Sequence, residues 1–158
     1  MIKIRKANLK DVPEMEKVLL DAYHLNYCGA GEYYSKEELT DPNYASTSGP
    51  YNSNKIFLTN NYNSIKERLN NPFKAFVMHI DKEMVGYIII EKHLGRTWVN
   101  DILITKRYQK KDFGKKLLDF ALKKEKNVYL WVNAKNPAQQ FWKKEGFKEV
   151  LKECLMKR

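Results

Sequence analysis

The sequence is short of the residues that cross-link a chain, anchor it in a bilayer or hold a metal. It has two cysteines, Cys28 and Cys154. They stand far apart and form neither a disulfide framework nor a Cys-x-x-Cys metal or redox motif, so a reducing cytoplasm is the expected compartment. No apolar run approaches the roughly 18 residues a membrane span requires. The stretch Met1-Ile2-Lys3-Ile4-Arg5-Lys6 enters a strand-like alternation directly, without the apolar core of a signal peptide. Secretion and membrane insertion are therefore not expected. The histidines, His24, His79 and His93, lie in different segments without ligand spacing, so no metal is expected. Internal repeats and linkers are missing as well. Acidic residues are outnumbered, 19 Asp+Glu against 29 Lys+Arg. The resulting formal charge of +10 attracts anions such as phosphorylated cofactors, nucleic acid or acidic proteins, without choosing among them.

What is present is the material of one folded unit. At 158 residues the chain is long enough for one sizeable core and short for two. Its 43% hydrophobic content, with ten Tyr, seven Phe and three Trp, is that of a globular protein. A single domain over 1–158 is the expectation.

Ile2 and Ile4 alternate with Lys3 and Arg5, which predicts a first strand. A helix follows, with Asp11 placed to cap it, Pro13 in its first turn and Val12, Met15, Leu19 and Ala22 at helical spacing. Residues 28–61 lose periodicity among Gly, Pro, Asn and Tyr, apart from a helical turn over Ser35 to Leu39, and this irregular insertion is expected to act as a functional lid or to carry specificity. A short helix is predicted over 63–70, closed by Pro72. The apolar runs 75–80 and 85–90, separated by Asp81-Lys82-Glu83, read as an antiparallel hairpin. A strand over 98–105, an amphipathic helix over 113–124 with Phe113, Leu117, Leu118 and Ala121 on one face, and an apolar strand over 128–132 follow. The next helix, 138–144, has Asn136 as N-cap, Pro137 beside it, Gln139 in capping-box position and Gly146 as its left-handed stop. A last strand is expected to start at Phe147.

The stretch that carries chemistry is Ile102-Leu103-Ile104 through Lys116-Leu117-Leu118, where a strand passes through a short loop straight into a helix. Unpaired N–H groups at a helix start, aided by the helix dipole, make an anion site, and Lys110, Lys111 and Lys115 surround it with positive charge. A pyrophosphate fits that description.

Across nearly the whole chain the sequence resembles the GNAT superfamily of acetyl-CoA-dependent N-acetyltransferases. That family's pyrophosphate loop reads Gln/Arg-x-x-Gly-x-Gly/Ala, and Gln109-Lys110-Lys111-Asp112-Phe113-Gly114 matches its first and last positions. Asp112 stands where the first glycine is usual. Asp tolerates left-handed geometry and caps helices, so the loop is expected to keep its shape with the carboxylate turned away. A second block, Lys135-Asn136-Pro137-Ala138-Gln139-Gln140-Phe141-Trp142-Lys143-Lys144-Glu145-Gly146-Phe147, resembles the C-terminal signature, with the family Asn falling on Lys135, Asn136 one place late, and Trp142 where a Tyr is usual.

The resemblance implies an α/β (α+β) domain with a mixed, mostly antiparallel sheet of six to seven strands and about four helices. Their order would be strand, helix, helix, three strands, helix, strand, helix, two strands. It implies acetyl-CoA as acetyl donor, lying in a splay between the strand ending at Thr105 and the strand at 128–132. Main-chain groups of Leu103, Ile104 and Thr105 would pair with the pantetheine arm, the loop Gln109 to Lys115 would hold the pyrophosphate, and Asn136 and Trp142 would border the cofactor. A primary amine then attacks the acetyl group directly, so something must accept a proton. Asp101 is the candidate base, Glu91 the runner-up, and Tyr23, His24 and Tyr27 are candidates for the acceptor pocket. Trp142 in place of Tyr removes the usual candidate acid, because an indole N–H does not give up its proton. Expected partners are acetyl-CoA and an amine acceptor on a small molecule or peptide. No membrane partner is expected, nucleic acid is left open, and the assembly is a monomer or homodimer. Acetylation on a large anionic partner such as aminoacyl-tRNA or a ribosomal protein, and a non-catalytic acyl-CoA-binding module, stand as alternatives.

Overall fold

The computed structural model describes residues 1–22, 73–132 and 136–150. Five strands form one sheet in the order β1-β2-β3-β4-β5: β1 (Ile2–Lys6), β2 (Phe73–Ile80), β3 (Glu83–His93), β4 (Arg96–Ile104) and β5 (Val128–Leu130). The first four pair antiparallel and β5 joins β4 in parallel. Three helices flank the sheet: α1 (Val12–Ala22), α2 (Phe113–Leu122) and α3 (Ala138–Lys144).

Alternation along the strands separates the two faces. Ala75, Val77, Met84, Tyr87 and Ile89 pack under Val12, Met15, Val18 and Leu19 of α1. Met78, Val85, Ile88, Ile90, Val99 and Ile104 turn the other way, onto Leu117, Leu118 and Ala121 of α2 and Trp142 of α3. Seven consecutive residues of β3, Met84 to Ile90, are buried because both faces of this central strand are covered. Gly86 has a specific reason in this strand: a Cβ there would meet Ile104 Cδ1 and stand 2.7 Å from the backbone oxygen of Leu103. β3 and β4 approach too closely at that point for any side chain.

The predicted hairpin, the strand after it, the helix from Phe113 and the helix from Ala138 all form, within the usual shift of a residue or two at their ends. Asp11 is corrected. It does not cap α1; a 3-10 turn (Leu9–Asp11) precedes the helix and Asn8 caps that turn. Asp11 is spent instead on a two-pronged contact with Arg5, at 2.6 and 2.7 Å, and on the Asn8 amide. The strand expected at Phe147 is corrected too, since residues 147–150 join no strand. Gly146 (φ +86) stops α3 as predicted, with Gly146 N bonding to Lys143 O and Phe147 N to Trp142 O. This is the paired-bond stop in which the residue after the glycine packs back on the helix, and Phe147 does so against Trp142, ring centroids 5.1 Å apart. The described sheet thus has five strands and three helices, against six to seven and about four expected. The insertion 28–61, the helix predicted over 63–70 and the residues Tyr23, His24 and Tyr27 lie outside the described residues. No described helix is long and apolar enough to cross a membrane.

Candidate active site

The site begins where β4 loses a neighbour. β5 pairs with β4 through three residues only, Thr97 with Val128, Trp98 with Tyr129 and Val99 with Leu130. Beyond Val99 no described strand lies on that side, so the edge of β4 from Asn100 to Ile104 is open among the described residues. An open edge presents backbone donors and acceptors in a row. Their direction follows from one bond: Thr105 N donates to Val85 O at 2.9 Å. In an antiparallel pair alternate residues turn both backbone groups to the partner, which assigns Thr105 and Leu103 to β3 and turns Ile104 and Ile102 to the open side. The amide of Thr105, expected among the pantetheine contacts, is already used inside the sheet. Its hydroxyl Oγ1 is buried with no hydrogen-bond partner.

A bulge sits at the fork. The β3–β4 register slips between Ile89, opposite Asp101, and Ile90, opposite Val99, leaving Asn100 as the extra residue. Val99 and Ile102 both pack on the α2 face, so Asn100 and Asp101 between them both turn to the α1 face. Glu91, opposite Trp98, is on that face as well and accepts a hydrogen bond from Asn100 Nδ2 at 3.3 Å. The two carboxylates expected on neighbouring strands are therefore brought to one face of the fork.

Past Ile104 the chain makes a 3-10 turn (Lys106–Tyr108) and enters α2 through two left-handed residues, Lys110 (φ 58) and Asp112 (φ 59). Asp112 takes the geometry expected for it, yet its side chain caps nothing and is exposed. Gln109 earns its position by donating from Nε2 to Ile104 O at 2.8 Å, which folds the loop back on the end of β4. The first helical bond of α2 is Lys116 N to Asp112 O, so the amides of Phe113, Gly114 and Lys115 precede the helix ladder, the arrangement that attracts anions. Gly114 faces Phe141 of α3, and an added Cβ would meet that ring at 3.6 Å. Ala would fit there, and larger side chains would not.

The loop is held from outside. Tyr108 donates to Glu83 at 3.1 Å and stacks edge-on with Phe113. Burial and the Glu83 contact push its phenol above the usual value, so it stays protonated. Lys106 N donates to Asp21 at the end of α1, which brings that helix end to the end of β4. Sequence reasoning missed Asp21 because its partner is 85 residues away.

The cations around the loop divide. Lys115 Nζ is committed to Glu145 at 2.9 Å and Asp119 at 3.2 Å, and both contacts raise its pKa. Lys111 donates to Arg107 O. Lys110 is exposed on the left-handed turn. The N-cap expected at Asn136 is corrected: Pro137 holds the cap position of α3, and Asn136, one residue before it, accepts from Ala138 N at 2.8 Å. Trp142, 8% exposed, is wedged between Phe141 and Phe147 in the core under α2, so its indole belongs to packing. Asn100 was also missed, although a signal was present: apolar Val99 and Ile102 are three apart where a regular strand would space them by two or four.

A family profile describing the acetyltransferase (GNAT) domain matches residues 34–157. Among solved structures, the chain is similar to the PaiA N-acetyltransferase of Thermoplasma acidophilum in complex with coenzyme A, with a TM-score of 0.68 and 21% identity over 94% of this chain and 90% of that one. It is also similar to the ribosomal-protein-S18-alanine N-acetyltransferase of Escherichia coli, with a TM-score of 0.67 and 15% identity over 96% and 80%. No curated protein sequence matches. With the profile spanning more than half of the chain, and the fork, loop and helix start in one place, the protein belongs to the GNAT acetyltransferase family and is an acyltransferase.

Proposed function

We propose that the fork between β4 and β5 binds acetyl-CoA and that the protein transfers its acetyl group to a primary amine by direct attack. The observation that carries this reading is the loss of β4's parallel partner after Val99, on the strand that leads straight into the Gln109–Gly114 loop. The open-side groups of Ile102 and the amide of Ile104, whose carbonyl already accepts from Gln109, are the ones able to pair with an extended pantetheine arm. The amides of Phe113 and Gly114 would face the pyrophosphate, with the exposed Lys110 in the same loop. The solved relative bound to coenzyme A supports the donor, while the acceptors named for neighbours of this fold belong to those proteins.

In the reaction, an ammonium loses a proton to a carboxylate, directly or through one water. The freed lone pair attacks the acetyl carbonyl, the C–S bond breaks as the nitrogen gives up its second proton, and the CoA thiolate leaves as the thiol by taking that proton through water. Asp101 is assigned as the base because the bulge turns it toward the fork, with Glu91 the second candidate. Trp142 plays no part in proton transfer, since its indole is buried and is not an acid at working pH.

The test is calorimetric titration with acetyl-CoA of wild type, Gly114→Trp and Asp112→Gly, followed by thiol release with amines. Binding by wild type and none by Gly114→Trp is the expected result. No binding by wild type, or binding only in Asp112→Gly, would overturn the reading.

A further inference from the structure

On the α1 face of the fork stands a ladder of aromatic rings. Trp98 on β4 stacks on Trp131 with centroids 6.1 Å apart and planes 16° from parallel, and leans on Tyr129 at 5.4 Å. The guanidinium of Arg96 sits 4.9 Å from the centre of the Tyr129 ring and closes the far end. The ladder grows from the strand register. Trp98 lies opposite Tyr129, and Trp131, one residue past Leu130, is level with Asn100, where the strands part. Trp131 stands at the fork and is 61% exposed, whereas Trp142 is buried in the core.

A tryptophan left open on a second, parallel tryptophan is costly to hydrate and is the surface on which a flat ring stacks. The neighbours settle the charge of the occupant. Glu91 is cross-strand from Trp98, and Asp101 follows the bulge on the same face. Among the described residues, Arg96 lies at the far end of the ladder, Lys74 and Lys92 gather around Glu125 at the start of β4, and Lys106, Arg107, Lys110 and Lys111 lie in the loop before α2, all away from the bulge. An anionic acceptor would meet carboxylates at the fork, and a bare polyamine would leave the rings unused.

Resting on the acetyl-transfer reading, we infer that the acceptor is an arylalkylamine, a primary ammonium joined by a short chain to an aromatic ring. Its ring stacks on Trp131 and its amine reaches the carboxylates at the bulge. Trp131 then sets specificity and takes no part in the chemistry.

The experiment compares 2-phenylethylamine with n-butylamine as acceptors in wild type, Trp131→Ala and Trp131→Phe. One stacked ring corresponds to about a tenfold preference, so wild-type kcat/KM for phenylethylamine should exceed that for butylamine by at least about that factor. Trp131→Ala should erase the preference, with phenylethylamine losing about tenfold more than butylamine and losing it through KM, and Trp131→Phe should restore most of it. Equal rates with both amines in wild type, or an equal loss for both in Trp131→Ala, would overturn the inference. Quenching of tryptophan fluorescence by phenylethylamine, without donor, reads the ladder by itself. Should acetyl-CoA fail to bind, the transfer reading falls, and saturable calorimetric binding of phenylethylamine that is lost in Trp131→Ala and kept in Trp131→Phe decides the ring subsite separately.

Discussion

The two ends of β4 show how one strand is used for two purposes. At its start β4 is enclosed: β5 pairs with Thr97, Trp98 and Val99, and the buried carboxylate of Glu125 gathers Thr97 Oγ1 at 3.0 Å, Lys92 at 2.9 Å and Lys74 at 3.7 Å. At its end the strand is left open, with a bulge, an orphan threonine hydroxyl and a loop of left-handed residues. The closed end satisfies its polar groups within the protein, and the open end keeps backbone groups available for a ligand. Unsatisfied groups are a cost in a fold and a resource in a site.

The largest expected effect lies at the open end. Gly114→Trp drives an indole into Phe141 and should weaken acetyl-CoA binding by more than about 100-fold, whereas Gly114→Ala, whose Cβ meets that ring at ordinary contact distance, should stay within about threefold. Titration calorimetry on the two variants separates steric block from general damage. Next comes Gly86→Ala, at the point where β3 presses on the open end of β4. The forced contact with Leu103 O should cost about 2–3 kcal/mol in urea unfolding and also weaken acetyl-CoA binding, because β4 must move.

At the closed end, Glu125→Gln should cost about 1–2 kcal/mol, less than a fully buried pair, because Lys92 and Lys74 are half exposed and can return to water. Acetyl-CoA affinity should not change. Lys92 and Thr97 hold the Glu125 carboxyl below its usual range, so its contribution is present above about pH 4.5 and fades as pH falls through the lowered value. The variant should flatten that acid limb in thermal melts. The smallest effect belongs to Glu16 on α1, whose Oε1 is buried without a partner and whose carboxyl burial pushes up. For a raised acid the sign reverses: the ionised form is the costly one. Glu16→Gln should stabilise by about 0.5 kcal/mol at pH 7, with the gain disappearing near pH 4. A destabilised variant at neutral pH would show that Glu16 has a partner in solution.

The comparison also explains what could be read early. The hairpin 75–90 and the helix over 113–122 were legible because burial on one or two faces imposes a period on the sequence. Gly146 was legible as a stop because its positive φ is a local requirement. Asp11 was misread because capping and ion pairing ask for the same residue type, and only the nearness of Arg5 decides between them. Phe147 was misread because an aromatic after a glycine suits a strand start and a helix stop equally. Lys115 was legible as a cation beside the loop, but its pairing with Glu145, 30 residues on, was not.

The sequence by itself determined the order of the described elements, the loop from Gln109 to Gly114 and the family, since these rest on local period, turn chemistry and a motif read along the chain. Only the tertiary structure decided that β5 leaves β4 after Val99, that a bulge aims Asn100 and Asp101 at one face, and that Trp131 stacks open on Trp98. Each of those depends on the register between strands, which is fixed by how whole faces pack and is written in no single segment.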